Sequence, residues 1–369
     1  MNAKGRNNVN ICFLFGGFFN AGGIGRVVSV LVNQLVENEK VGVYCLALGN
    51  KKKALQYEVD ERVHNDYLFD SAYTMKKAFL EHGVNKLSNY LLSNRIDTLI
   101  ACGTLYFPLG ILAARVTKVK CICWDHTGPN VTSDHPFQKL SRNIGGRYSD
   151  INVLLTQKAK IAYDKRYPKS NNVVIYNPID PNSINPTGDY DLESKKILSV
   201  GRLTYQKNYE DMVSIAKEVL TIYKDWTWEI YGTGDQKEKI QQLVEESGVR
   251  DRLKLMGTVN DMYSRYKKYA MIVSTSRYEG FPMTLLEACA NGLPMISFDI
   301  ETGPSEIIDE KNGFLIAWDE NKNHNMVKAI CTLIEDSDKR RKCSEESYHT
   351  IGKFIIEKTI KDWIDILDL

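Results

Sequence analysis

The chain has 369 residues, 43% hydrophobic and 25% charged, a length suited to two domains of about 180 residues each. No apolar run reaches the ~18–20 residues a membrane span needs, and the polar residues 1–10 lack a signal peptide's apolar core, so a cytoplasmic protein is expected. The net charge of +2 conceals a split: residues 1–180 carry 23 Lys and Arg against 14 Asp and Glu, and residues 181–369 carry 25 against 32.

Short apolar, β-rich runs in the first half predict strands at 9–15, 41–46, 98–102, 119–124, 151–155 and 173–176. Between the first two, Ile24, Val27, Val28, Leu31, Val32 and Leu35 recur at three- and four-residue spacing, the stripe of a helix packed on a core. The prolines of Asn177-Pro178-Ile179-Asp180-Pro181-Asn182 and the turn residues up to Gly188 mark a boundary near residue 180. Beyond it, strands are predicted at 196–200, 227–231, 253–256, 271–274, 294–298 and 314–316, with helices near 208–223, 235–247, 284–291 and 323–335. Alternation of apolar strands and helices implies parallel sheets covered on both faces, hence an α/β fold of two doubly wound domains. Such sheets bind ligands beyond the carboxyl ends of their strands, here in a cleft where the two domains face each other.

Eight cysteines form no regular framework. Cys12, Cys45, Cys102, Cys121 and Cys123 fall in or beside the predicted strands and read as small core residues in a reducing compartment, and Cys121-x-Cys123 has the wrong spacing for a zinc knuckle. Neither a structural metal nor a disulfide is expected. The basic half includes the run Lys51-Lys52-Lys53 with Arg142, Arg147, Lys158, Lys160, Lys165, Arg166 and Lys169. Solvated helix faces account for such residues as well as an anionic partner does. If a partner is involved, an anionic membrane suits it better than nucleic acid, for which no module or aromatic-rich basic stripe is present.

Several motifs fall at predicted strand ends. Gly16-Gly17-Phe18-Phe19-Asn20-Ala21-Gly22-Gly23-Ile24-Gly25-Arg26 follows the first strand. Its glycines permit positive φ and close approach, or serve as plain turn residues, but no Gly-x-Gly-x-x-Gly can be laid on it. Arg202 and Lys207 in Gly201-Arg202-Leu203-Thr204-Tyr205-Gln206-Lys207-Asn208 are placed to clamp a diphosphate, the first by its fork and the second as a point charge. Tyr231-Gly232-Thr233-Gly234 adds a glycine turn. The most informative stretch is Glu279-Gly280-Phe281-Pro282-Met283-Thr284-Leu285-Leu286-Glu287. Pro282 fits a first helical turn, leaving the amides of Met283, Thr284 and Leu285 free to meet a phosphate between two acids.

This ordered set, extended by Asn291-Gly292-Leu293-Pro294, Gly303-Pro304-Ser305-Glu306-Ile307-Ile308 and Asn312-Gly313-Phe314, resembles the retaining GT-B glycosyltransferases of family 4. The likeness is strong over residues 196–320 and loose before residue 180. It implies an acceptor-binding domain at 1–180, a nucleotide-sugar domain at 181–350 and a last helix within 351–369 that crosses back to the first domain. Arg202 and Lys207 would then neutralise the departing diphosphate. Gly280, Phe281, Pro282, Met283 and Thr284 would cradle it, Gly22 and Gly23 would approach it, and Gly232 would line the donor site. Glu287 would hold the ribose, Glu279 the sugar ring, and Val259 with its neighbours the base. His126 in Trp124-Asp125-His126-Thr127-Gly128 resembles the family's active-site histidine, with an ordinary loop histidine as the alternative; Asp125 is expected to be structural or acceptor-facing.

The resemblance further implies front-face transfer with no covalent nucleophile and no metal or other cofactor. Residues 298–306 are similar to bacterial enzymes that build polysaccharide, lipopolysaccharide or capsule from UDP-sugars. The partners expected are therefore a UDP-sugar, a saccharide acceptor carried on a lipid, and the inner face of the plasma membrane, to which the protein would be peripheral. The alternatives are a GDP-mannose-dependent mannosyltransferase and a non-catalytic nucleotide-sugar-binding relative. A nicotinamide oxidoreductase and a phosphorylase or hydrolase on the same fold are weaker rivals.

Overall fold

The computed structural model describes residues 8–18, 22–49, 55–70, 78, 82–129, 136–184, 190–259 and 261–369. Lys51, Lys52 and Lys53 lie outside them, as do Phe19, Asn20 and Ala21 of the first glycine segment. The chain divides into two compact units, one of residues 1–178 with 356–369 and one of residues 179–355.

In the first unit the predicted apolar runs become strands β1 (Val9–Phe15), β2 (Val41–Ala47), β4 (Thr98–Cys102), β5 (Lys120–Asp125), β6 (Ile151–Leu154) and β7 (Asn172–Val174). They form a parallel sheet of order β3-β2-β1-β4-β5-β6-β7, with Val9 opposite Val41 and Thr98 opposite Lys120. The unforeseen member is β3 (His64–Tyr67), whose sequence His-Asn-Asp-Tyr has no apolar run. It is an edge strand held by its ladder to β2, where the Tyr44 and His64 rings stack at 4.4 Å. A strand with one neighbour and exposed side chains escapes a reading based on hydrophobicity.

Helices α1 (Gly23–Leu35), α2 (Gly83–Ser93), α3 (Phe107–Thr117), α4 (Pro136–Tyr148) and α5 (Gln157–Arg166) connect these strands. Val27, Val28, Leu31, Val32 and Leu35 of α1 are buried, as their spacing requires. Strands β4 to β7 are added in one direction, so right-handed crossovers place α2 to α5 on one face of the sheet. In keeping with this, α2 packs on α3 and α3 on α4, while Tyr167 at the end of α5 donates to Asn143 Oδ1 of α4. The β1–β2 crossover runs the other way, so α1 covers the opposite face, and α12 (Ile356–Leu367) lies beside it. Trp363 of α12 is fully buried against Phe13 and Trp124, and Lys120 Nζ donates to Ile366 O at 2.8 Å.

The second unit repeats the pattern. Strands β8 (Lys196–Val200), β9 (Thr227–Tyr231), β10 (Leu253–Gly257), β11 (Met271–Ser274), β12 (Met295–Asp299) and β13 (Gly313–Ala317) form a parallel sheet of order β10-β9-β8-β11-β12-β13. Helices α6 (Tyr209–Ile222), α7 (Lys237–Glu246), α8 (Met283–Ala290), α9 (Pro304–Ile307), α10 (Lys322–Glu335) and α11 (Ser337–Thr350) cover it. Its core joins Ile197, Trp228, Ile230, Val273, Ile296 and Phe298 of the strands to Val219, Ile240 and Ile330 of the helices. All eight cysteines are free thiols, and burial raises the pKa of Cys12, Cys45, Cys102 and Cys123. No helix among the described residues is long and apolar enough to cross a membrane.

Candidate active site

At the carboxyl ends of β8 and β11 in the second unit, two loops meet around Glu279. Its Oε1 accepts from Lys207 Nζ at 2.5 Å and from Ser276 Oγ at 2.7 Å, and its Oε2 from Gln206 Nε2 at 3.3 Å. The Glu279 side chain is 8% exposed and that of Lys207 15%, so the pair is largely withdrawn from water. Thr275 Oγ1 ties the Lys207 and Asn208 carbonyls to the β11 loop, and Thr302 Oγ1 donates to Glu279 O at 2.5 Å. Gly303 has φ 103°, and a Cβ there would stand 2.8 Å from Pro282 Cδ. The loop after β12 thus braces the Glu279 loop by a backbone approach only glycine allows. Ser276, Gln206, Thr275 and Thr302 were not identified from sequence, because nothing local marks which small polar side chains will surround a given carboxylate.

Lys207, expected at a diphosphate, is paired with Glu279 in this structure. Arg202, its expected partner, is exposed and forms no ion pair among the described residues. At the start of α8 two details differ from expectation. Pro282 is the N-cap, in extended backbone, rather than part of the first turn. The Leu285 N–H donates to Pro282 O at 3.0 Å, so it is not one of the free amides. Gly280 and Phe281 lead into this turn, Phe281 is buried with its ring 5.6 Å from that of Phe354, and Met283 and Thr284 are half-buried at its start. Glu287, one helical turn further, is buried and accepts from Tyr266 O–H at 2.7 Å.

Gly232 and Gly234 serve the packing of two loops. A Cβ on Gly232, at φ 142°, would lie 1.9 Å from Gly201 O, and one on Gly234 would lie 2.2 Å from Leu203 O. Leu203 N–H donates to Thr233 O at 2.9 Å, fixing the Arg202 loop against the β9 turn. Val259 is half-buried just beyond β10.

The first unit holds the remaining candidates. Gly22 has extended backbone, and a Cβ on Gly22 or Gly23 would meet nothing within 4 Å, so neither glycine is demanded by conformation or crowding. The positive φ in this segment belongs to Gly17, and the close approach belongs to Gly25, beside Tyr57. His126 follows β5 with its ring 4.3 Å from that of Trp124, and its buried Nε2 has no hydrogen-bond partner among the described residues. Burial pushes its pKa down to about 3, against the pull of Asp125, so the imidazole is neutral at physiological pH. Asp125 itself is structural. Its Oδ1 accepts from Thr127 N–H and Oγ1–H, and its Oδ2 from Arg142 Nε and Tyr163 O–H at 2.9 and 2.6 Å. Arg142 therefore belongs to the core and not to a basic surface, a correction to the sequence reading. Arg147, Lys158, Lys165, Arg166 and Lys169 are exposed, and Lys160 pairs with Asp164. Among the described residues no group of three or more His, Cys, Asp or Glu could hold a metal ion.

Residues 185–350 match the family Glycosyl transferases group 1, and residues 21–183 match Glycosyltransferase Family 4. The chain belongs to the GT-B glycosyltransferases. It is similar to a glycosyltransferase of Haemophilus influenzae, 28% identical over 95% of this chain and 99% of that one. It is also similar to the amylovoran biosynthesis glycosyltransferase AmsD of Erwinia amylovora, 29% identical over 97% of this chain and 99% of that one. The structure of Anabaena HepE in complex with UDP and glucose shares the fold, with a TM-score of 0.78 at 16% identity, over 97% of this chain and 99% of that one. This glycosyltransferase is thus related to enzymes of polysaccharide biosynthesis along its whole length.

Proposed function

We propose that this glycosyltransferase moves a hexose or N-acetylhexosamine from a UDP-sugar, with retention and without a metal ion, to a saccharide acceptor carried on a lipid. The observation that carries the reading is the state of Glu279. A carboxylate offers about four acceptor sites, and Lys207, Ser276 and Gln206 take three, leaving one on Oε2 for a sugar hydroxyl. Lys207 pairs with this acid in a dry setting and has further N–H groups for a diphosphate oxygen. Exposed Arg202, on the same loop, supplies a bidentate fork for the same group.

The chemistry needed from the protein is electrostatic. As the bond from the anomeric carbon to the diphosphate breaks, negative charge grows on the leaving oxygen and positive charge on the sugar. Arg202 and Lys207 stabilise the first, while the carboxylate of Glu279 favours the second. The acceptor hydroxyl adds on the face the diphosphate leaves and gives that oxygen its proton. Glu287, oriented by Tyr266, accepts from the ribose, and Val259 borders the base. Roles for His126, Gly22 and Gly23 rest on the resemblance, with neutral His126 suited to hydrogen bonding rather than to proton transfer. The role of AmsD in amylovoran biosynthesis and the UDP and glucose of the HepE complex support the substrate classes.

A thermal-shift screen with UDP, GDP, ADP and their sugar conjugates tests the reading. Ligand at about 100 times its dissociation constant adds roughly 2.7 kcal/mol. A rise with UDP compounds alone supports it. A rise with GDP compounds alone replaces it with a mannosyltransferase, and no rise with any nucleotide overturns the donor assignment.

A further inference from the structure

The loop that carries Arg202 and Lys207 has little support of its own. Tyr205–Lys207 form a single 3-10 turn, whose hydrogen bonds are poorer than those of an α-helix. Asn208, which follows it, has φ 54°, a left-handed backbone that a non-glycine residue adopts at a cost. The support comes from the loop after β11. Four consecutive carbonyls of the turn accept hydrogen bonds from two residues of that loop. Tyr205 O accepts from Arg277 Nη1, Gln206 O from the Arg277 N–H at 2.8 Å, and Lys207 O and Asn208 O from Thr275 Oγ1 at 3.0 and 3.1 Å.

The Arg277 side chain is itself fixed. Its guanidinium lies 4.1 Å from the centre of the Tyr205 ring, and Nη2 donates to Glu210 Oε2 of α6 at 3.2 Å. The arginine side chain is 20% exposed, whereas Tyr205 is 59% exposed, so the ring covers the cation. A planar fork can hold a carbonyl and a carboxylate at once while it stacks on a ring; a single ammonium cannot. Two residues further on, Glu279 accepts from Lys207 Nζ, and Gln206 Nε2 donates to Tyr278 O at 3.0 Å. The charge of Arg277 is spent on Glu210, so any effect on a ligand passes through the turn it holds.

We propose that Arg277 is a positioning residue for the donor's diphosphate. It touches no substrate and sets the place of Lys207 Nζ by clamping the 205–208 turn to the Glu279 loop. The inference rests on the reading in which Lys207 meets that diphosphate. A charge-assisted hydrogen bond weakens steeply with distance and angle, and a displacement of about 1 Å forfeits most of it. Without the fork, the turn keeps only the backbone bond from Arg277 and the two bonds from Thr275, and Lys207 Nζ loses its fixed station between Glu279 and the phosphates.

Calorimetric titration of the full chain with UDP and with uridine tests it, because the ratio of the two dissociation constants isolates what the phosphates contribute. Lys207→Met should cut that ratio roughly 10- to 100-fold, and Arg277→Met about tenfold, with uridine binding unchanged. In a Lys207→Met background, Arg277→Met should change it by less than about twofold, since both act on one contact. Arg277→Lys, a point charge beside Glu210, should restore only part of it. A parental ratio in Arg277→Met or Arg277→Lys would overturn the proposal, and the second variant decides where the first fails to fold. So would an equal loss for UDP and uridine, which a merely structural role predicts, or a further tenfold loss in the Lys207→Met background, which direct contact predicts. If the parent chain binds no UDP, or Lys207→Met keeps the parental ratio, the donor reading fails and the inference falls with it. If Lys207→Met loses the ratio and Arg277→Met does not, the inference alone falls.

Discussion

Two carboxylates, one in each unit, stand at the end of a strand beside a cation, and they do different work. Asp125 is held by four hydrogen bonds, from Thr127 twice, Arg142 and Tyr163, which use all its acceptor capacity. Glu279 is held by three, from Lys207, Ser276 and Gln206, and keeps one site open. Both are buried, so burial alone does not separate a structural acid from a substrate-facing one. The count of filled lone pairs does. The partners differ in kind as well: the fork of Arg142 locks the backbone around Thr127 and Pro129, whereas Lys207 is a single ammonium able to share its protons with a ligand.

The largest effect that would break this contrast is on stability. Asp125→Ala leaves the Arg142 guanidinium buried without its counter-ion and should cost about 3–5 kcal/mol in urea unfolding. A loss under ~1 kcal/mol would show that Asp125 is not the structural member. Next comes activity. Arg202→Ala, at an exposed position, should slow sugar transfer by about 30- to 1,000-fold, roughly 2–4 kcal/mol, with an unchanged unfolding midpoint. Glu279→Gln should act in the same direction, and near-normal transfer by either variant would remove its role.

A smaller effect concerns His126. Its folded pKa, depressed to about 3 from an ordinary 6.5, means that the unfolded chain binds the extra proton in between. Stability therefore falls as pH is lowered through that window, by up to ~1.4 kcal/mol per unit for this group. His126→Gln should flatten that slope; an unchanged slope would mean that the imidazole is charged or solvated. The smallest change is expected at the far edge of the first unit. Lys120 meets an Asp368 side chain that is 81% exposed, and Asp368→Asn should alter stability by less than ~1 kcal/mol.

The division of labour between sequence and fold is visible residue by residue. Twelve strands were legible because each is an apolar run between turn signals, and α1 was legible from its 3.6-residue stripe; β3 was not, having polar side chains at a sheet edge. The motif residues 279–287 and the Arg202–Lys207 loop were identified for the same local reason, since strand ends are marked by glycine and charge. Gly232 illustrates a partial success. Its position was found, but the Gly201 carbonyl that excludes a Cβ is 31 residues away in sequence and was not.

What the sequence determined by itself is the alternation of elements, and with it two parallel sheets whose carboxyl ends carry the charged loops, because periodicity and turn chemistry are local properties. The tertiary structure alone decided which charges are spent on one another. Arg142 left the surface for Asp125, and Lys207 joined Glu279. The reason is physical: pairing energy and solvent exposure depend on distance in space, and residues 17 or 72 positions apart acquire a distance only when the chain has folded.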